Sequence, residues 1–320
     1  MAVTSRILIV WNHCPDSGAN VMDRNALLRA CEGIDCLFHL ASFGMSGVEA
    51  LNKEKNESLN VGGTKMVIHA CRERNIPWLI HCSSVNVVFC GEPIVDGNEE
   101  TQSYLPPEKY LDHYSRTKSI GEQLVLVANG TPLAGRGILR TCAVRPVGIY
   151  GPEERKHVER LKNVIEKGLT NFMFGDPNAQ MNWIHIENMI QALILAAEAL
   201  APEKGSISSG QAYFVHDGEK VRVNDWMSAI GQRFGCKEPW LRVPTFLVYV
   251  AAIGLGRAEK QSQSEGIALT LVAKVTTTET YDISKARREL GYRPQKFGFV
   301  DCIYSGIRKR LSEDAKLAQG

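Results

Sequence analysis

The chain lacks a long apolar run, a paired-cysteine motif and any marked charge bias, and each lack excludes a class of protein. The longest apolar run near the C-terminus, Phe246 to Leu255, falls well short of the roughly 20 residues a bilayer-spanning helix needs. It suits an interfacial or substrate-facing helix instead. The nine cysteines are scattered, odd in number and never spaced Cys-x-x-Cys. Neither a zinc site nor a redox motif is therefore expected. Nothing at the N-terminus has the form of a secretory leader, so reduced, mostly buried thiols in a cytoplasmic protein are the expectation. The formal charge of +2 is spread evenly along the chain, which gives no basic patch for nucleic acid. Internal repeats and low-complexity tracts are also missing.

What the sequence does have is alternation. Apolar runs bounded by turn residues lie at Arg6–Trp11, Cys36–Ala41, Trp78–Ser83 and Leu139–Val144. Helical spacing of apolar residues separates them at Asn25–Glu32, Val61–Arg74 and Tyr114–Ala128. Strands separated by helices of this length predict right-handed βαβ crossovers and a parallel sheet covered on both faces. Beyond about Pro146 the alternation loosens. Helices are predicted at Val158–Lys167, Glu187–Leu200 and Val223–Phe234, with short strands at Trp183–Ile186 and Ala212–Val215. Gly256–Gly266 is polar and reads as a loop. The expected organisation is a dinucleotide-binding domain over 1–150 and a smaller, mainly substrate-binding lobe over 151–320. Later strands near 183–235 are expected to return to the first domain. Such a lobe would sit over the carboxyl ends of the strands, where open α/β sheets bind ligands.

Chemistry concentrates at Tyr114 and Lys118, with Ser84 at the end of a strand 30 residues earlier. Positions i and i+4 share a helix face, so both side chains can enter one cleft. A phenol ordinarily ionises near pH 10, and an adjacent ammonium would stabilise the phenolate and make it usable as a proton donor and acceptor. A serine hydroxyl beside it can orient an oxygen on which charge develops. The string Tyr-x-x-x-Lys is weak alone, because it recurs at Tyr281–Lys285. Context favours Tyr114, which follows a strand ending in Ser83-Ser84. Tyr281 lies in the charged stretch YDISKARRELGY, expected to be a surface helix. The Trp183–His185 stretch reads as core packing with one satisfied histidine.

Seven strings in order carry a family resemblance: CLFHLAS from Cys36, LNVGGTK from Leu59, HCSSVNVVF from His81, DHYSRTK from Asp112, VRPVGIYGP from Val144, WIHIENMIQA from Trp183 and YDISKARRELGY from Tyr281. The chain resembles the extended short-chain dehydrogenases of the 3β-hydroxysteroid dehydrogenase branch, and most closely the subgroup numbered 42E. The resemblance implies an α/β fold with a Rossmann-like, doubly wound parallel sheet, N-terminally incomplete, and a smaller C-terminal substrate lobe. It places the catalytic tyrosine at Tyr114, the lysine at Lys118 and the serine at Ser84. Cofactor-lining positions fall on Ala41, Asn60 and Pro146, with Tyr114 and Lys118 also facing the cofactor, which would be NAD or NADP. For Asn60 a helix-capping role, and for Pro146 a strand-breaking role, stay open.

The front end departs from this pattern. The family opens with a strand, a G-x-x-G-x-x-G turn and a helix, whose backbone N–H groups approach the pyrophosphate. Here Ile7–Trp11 runs into Asn-His-Cys-Pro-Asp, with no glycine before Gly18. Gly44-Met-Ser-Gly47-Val-Glu-Ala50 imitates the turn but lies only 70 residues before Tyr114, so it is expected to be a loop near the site's mouth. Asn20 stands where the family carries an acidic residue against adenine. Roughly the first strand, helix and second strand are expected to be absent, which leaves NAD and NADP undecided. The polar Gly256–Gly266 stretch lies where the family has a membrane-associating segment. Peripheral contact with the endoplasmic reticulum membrane thus rests on the resemblance alone. Three readings fit these residues. The first is an NAD(P)-dependent oxidoreductase acting at the 3-hydroxyl or 3-keto group of a steroid or sterol-like substrate. The second is a truncated pseudoenzyme that binds a lipid or a partner. The third is a nucleotide-sugar epimerase.

Overall fold

The structure is a computed structural model that describes residues 6–10, 21–45, 47–152, 154, 158–159, 162, 165–166, 172–236, 241–244, 246–248, 250, 272–274 and 276–317. Five parallel strands form the main sheet in the order Ile7–Val10, Cys36–His39, Trp78–Cys82, Arg140–Pro146 and Ala212–Val215. Their pairing is in simple register: Ile9 lies beside Phe38, Phe38 beside Ile80, and Ile80 beside Cys142. The inner strands are buried on both faces, which is why they read as continuous apolar runs rather than alternating ones.

Helices cover both faces. Arg24–Ala30, Thr64–Glu73 and His113–Val127 pack through Leu27, Val67, Cys71 and Val125 onto Val10, Leu37 and Leu79. On the other face Ile186–Glu198 and Ser284–Leu290 pack through Met189, Ala192, Leu193 and Ala286 onto Phe38, Ile80, Cys142 and Val144. This is the Rossmann-like α/β architecture expected from the strand–helix alternation. Among the described residues the strands follow one another across the sheet in chain order. Ile7–Val10 forms one edge, where Ile7 and Ile9 are 56% and 50% exposed.

A four-stranded sheet lies beside this core and joins distant parts of the chain: Val221–Arg222, Gln180–Met181, Glu279–Tyr281 and Ile94–Gly97. Tyr281 therefore ends a buried strand and is 2% exposed, not part of a surface helix as its charged surroundings suggested. Its ring stacks on Phe214 with centroids 4.5 Å apart, and the helix begins only at Ser284. The strand is short and its partners are far away in sequence, so local pattern could not reveal it. A separate pair joins Gly148–Tyr150 to Trp183–His185. Here His185 stacks on Phe297 at 3.7 Å, the packing role read for it. Much of the expected Val158–Lys167 helix, the end of the Phe246–Leu255 run, Asn20, and all of Gly256–Gly266 lie outside the described residues.

Candidate active site

The carboxyl ends of three adjoining strands bring the sequence-identified residues to one edge of the sheet. Ala41 and Ser42 follow Cys36–His39, Ser83 and Ser84 follow Trp78–Cys82, and Pro146 ends Arg140–Pro146. The His113–Val127 helix lies against them and presents Tyr114 and Lys118, 6% and 1% exposed. Its start is fixed locally: Asp112 is extended, and its carboxylate accepts from Ser115 N at 2.7 Å. That N-cap satisfies a donor the first turn would otherwise leave bare.

Tyr114 is hydrogen-bonded to Ser42, a partner not identified from the sequence. Burial holds the phenol well above its ordinary ionisation range, and Ser42 only partly offsets this. Lys118 does not pair with the phenol in this arrangement. Its ammonium donates to the Cys82 carbonyl oxygen at 2.6 Å and lies 3.4 Å from His81 Nε2. Burial pulls the lysine below its ordinary range, while Cys82 and Glu122 pull it upward. The expected lowering of the tyrosine by the lysine is therefore not expressed here, because burial is the larger effect on Tyr114 and the lysine's bonds are spent on the neighbouring strand.

Ser84 is half-buried, and its Oγ accepts from Asn86 N at 3.2 Å, capping the turn Val85–Val87. Its own hydroxyl hydrogen stays available to an oxygen in the cleft. Ser83 Oγ, on a residue 4% exposed, has no hydrogen-bond partner among the described residues. Pro146 pairs in register with Val215 as the last residue of its strand and so ends it without breaking it. Asn60 sits inside a π-helical turn, Glu57–Gly63, and does not cap a helix. Its amide Nδ2 donates to Phe43 O and to Thr117 Oγ1, and its Oδ1 accepts from Phe43 N. Asn60 is thus tied to the loop carrying Ser42 and to the helix carrying Tyr114. Gly44 has φ +87°, in the left-handed region, and Gly47–Leu51 is a short 3-10 turn rather than the opening of a long helix.

A charged network that the sequence reading did not find lies one turn beyond Lys118. Glu122, fully buried, receives Arg145 Nη2 at 2.6 Å and Nε at 3.0 Å, and Tyr104 OH at 2.6 Å. The signal was available: Glu122 is at i+4 from Lys118, on the helix's buried face, where a carboxylate requires a partner. Among the described residues no cluster of three metal-ligating side chains occurs.

Comparison with known proteins settles the family. The sequence pattern of the 3-beta hydroxysteroid dehydrogenase/isomerase family matches residues 13–244. The chain belongs to that family. It is 44% identical over 278 residues to short-chain dehydrogenase/reductase family 42E member 1 of Macaca fascicularis, covering 84% of this chain and 70% of the relative. It is 31% identical over 310 residues to 3beta-hydroxysteroid-dehydrogenase/decarboxylase isoform 2 of Arabidopsis thaliana, covering 94% of this chain and 52% of that protein. Among solved structures, that of gox2253 superposes with a TM-score of 0.69 at 21% identity, covering 97% of this chain and 91% of the other, a likeness of fold. The matched family is one of oxidoreductases, and Tyr114, Lys118 and Ser84 all lie within the matched residues.

Proposed function

We propose that this family member is an NAD(P)-dependent oxidoreductase acting at the 3-hydroxyl or 3-keto group of a steroid or sterol-like substrate, with Tyr114 handling the proton. The observation that carries this reading is the convergence of buried Tyr114 and Lys118 with Ser84 at the carboxyl ends of adjoining parallel strands.

The residues present fit the nicotinamide end of a dinucleotide. The unpartnered Ser83 hydroxyl and the buried Lys118 ammonium lie where polar ligand groups would complete their hydrogen bonding. Lys118 and Tyr114 would hold the nicotinamide ribose, with Ala41 and Pro146 lining the apolar side. Residues 11–20, which follow the first strand, lie outside the described residues. A bound nicotinamide supplies the hydride donor or acceptor.

The chain's own part is proton management. With its phenol held protonated by burial, Tyr114 acts most readily as a donor to a carbonyl oxygen. Ser84, its hydrogen uncommitted, steadies that same oxygen. For the reverse direction Lys118 has to turn from Cys82 toward the phenol, where its charge would favour the phenolate. Phe246, Leu247 and Val250 are exposed and offer a contact to an apolar or membrane surface. Among the described residues no helix is long and apolar enough to cross a membrane.

The test is turnover of a panel of 3β-hydroxysteroids and 3-ketosteroids with each cofactor, by wild-type protein and Tyr114→Phe. Loss of at least about a hundredfold in kcat is expected on removing the hydroxyl. A variant as fast as wild type would sink the assignment. One observation favours a second reading, a binding protein without turnover: the described strands run in chain order with no reversal at which a dinucleotide would straddle the sheet. Fluorescence titration with NADH and NADPH separates the two, since only the first requires binding.

A further inference from the structure

Two histidines lie side by side behind Lys118, and neither belongs to the proposed chemistry. His39 and His81 are register partners on adjacent strands, 0% and 1% exposed, with ring centroids 5.0 Å apart. Each has one ring nitrogen engaged and the other, Nδ1, without a hydrogen-bond partner. A buried imidazole leaves half its hydrogen bonding unmade only at a cost.

The hydrogen-bond inventory fixes which nitrogen carries each proton. Thr64 Oγ1 donates its single hydrogen to Asn60 O at 2.7 Å, so it can only accept from His39 Nε2, 2.9 Å away. His39 is therefore the Nε2–H tautomer. An ammonium has donors and no acceptor, so Lys118 Nζ must donate to His81 Nε2 as well as to Cys82 O. His81 is therefore the Nδ1–H tautomer. The two rings are held in opposite tautomers by different neighbours.

We propose that His81 is a positioning residue for Lys118: its Nε2 lone pair, presented by the Nδ1–H tautomer, holds the ammonium at the Cys82 carbonyl oxygen rather than on the Tyr114 phenol. This rests on the reading of Tyr114 and Lys118 as the proton-handling pair. The arrangement makes a two-position lysine. Parked, it is bonded to His81 and Cys82; released, it serves the phenol. The charged and titratable groups that act on it are His81 and Cys82 from the strand, Glu122 from its own helix, and His39 behind. Glu122 is committed to Arg145 and Tyr104, which leaves His81 as the one neutral side-chain acceptor bonded to the ammonium among the described residues. Burial and the Lys118 charge both keep His39 and His81 unprotonated, so the acceptor persists through the neutral range.

The test is long-range 1H–15N correlation on the full chain with labelled histidine, eight residues in all. Expected are an Nδ1–H signature for His81 and Nε2–H for His39, both unchanged across the neutral pH range. In Lys118→Met the His81 signature should change while His39 keeps its own. His81 found as Nε2–H or doubly protonated, or unaltered in Lys118→Met, overturns the proposal. A second arm follows the Lys118 ammonium resonance. In His81→Phe its titration should move to lower pH, and His81→Gln, which restores an acceptor, should recover part of the shift; equal titration in all three proteins overturns it. In turnover, His81→Phe should change kcat about tenfold, the scale of one charge-assisted hydrogen bond, with His81→Gln between it and wild type. The tautomer readout needs no substrate. An inactive chain with the expected tautomers removes the proposed function and leaves the lysine's cradle standing.

Discussion

The carboxamide of Asn60 pairs with the peptide group of Phe43 in both directions, accepting from its nitrogen at 2.8 Å and donating to its oxygen at 2.9 Å. The side chain imitates a neighbouring strand, and its second amide hydrogen reaches Thr117 at 2.9 Å. One buried residue thereby fixes the loop holding Ser42 relative to the helix holding Tyr114. Asn60→Ala is expected to cost about 1–3 kcal/mol by leaving Phe43 N–H and C=O unpaired. Asn60→Asp should cost at least as much, since it loses both donors and buries a carboxylate. Urea unfolding of the three proteins measures this, and equal midpoints would refute it.

Gly121 faces the same π-helical turn. A Cβ there would stand 2.9 Å from the Asn60 carbonyl oxygen, which is backbone and cannot move aside cheaply. Gly121→Ala would gain about 1 kcal/mol in helix propensity. Overpacking at such contacts costs about 1–3 kcal/mol, so a net loss is expected. A lowered thermal midpoint is the expected result; a raised one would show that the two helices can separate freely.

The Glu122–Arg145 pair supports a double-mutant cycle. Removing one partner leaves the other charged and buried, Arg145 being only 4% exposed. Glu122→Ala is expected to destabilise by about 3–5 kcal/mol. Glu122→Leu with Arg145→Met should cost less than the two single changes together, because no orphan charge remains. Additive losses in chemical denaturation would mean that the pair is not coupled.

Acid should loosen the fold through the strand histidines. Burial, and then the Lys118 charge, lower His39 from the usual 6.5 to about 3 and push His81 down as well. Between those two values the unfolded chain binds a proton at His39 that the folded chain refuses. Stability is therefore full above pH 6.5 and lost as pH falls through that window. Each such group contributes about 1.4 kcal/mol per pH unit. Thermal midpoints from pH 7 downward should decline steeply, and His39→Gln should flatten the slope.

The sequence made the main sheet legible because each inner strand is apolar on both faces and each crossover helix carries its own apolar spacing. Tyr114 and Lys118 were legible for a different reason, a fixed i, i+4 offset following Ser83-Ser84. Pairings between residues far apart in the chain were not. Tyr281 was misread because its strand neighbours, Ile94–Gly97 and Gln180–Met181, lie far off, while the charges that follow it belong to a helix starting at Ser284. Asn60 was legible as important but not as a tie to Phe43, since nothing local marks a π-helical turn. Lys118's direction was the largest difference: offset places a side chain on a helix face, but only the facing strand, with His81 and Cys82, decides where its last atoms go.

The bond from Asp96 N to Thr280 Oγ1, at 3.0 Å, spans 184 residues of chain. During synthesis Ile94–Gly97 must therefore wait, unpaired on that side, until Thr280 has emerged from the ribosome. Chain terminations after Ala212–Val215 would leave Ser84, Tyr114 and Lys118 attached to an unclasped segment that leads directly from Ser83-Ser84.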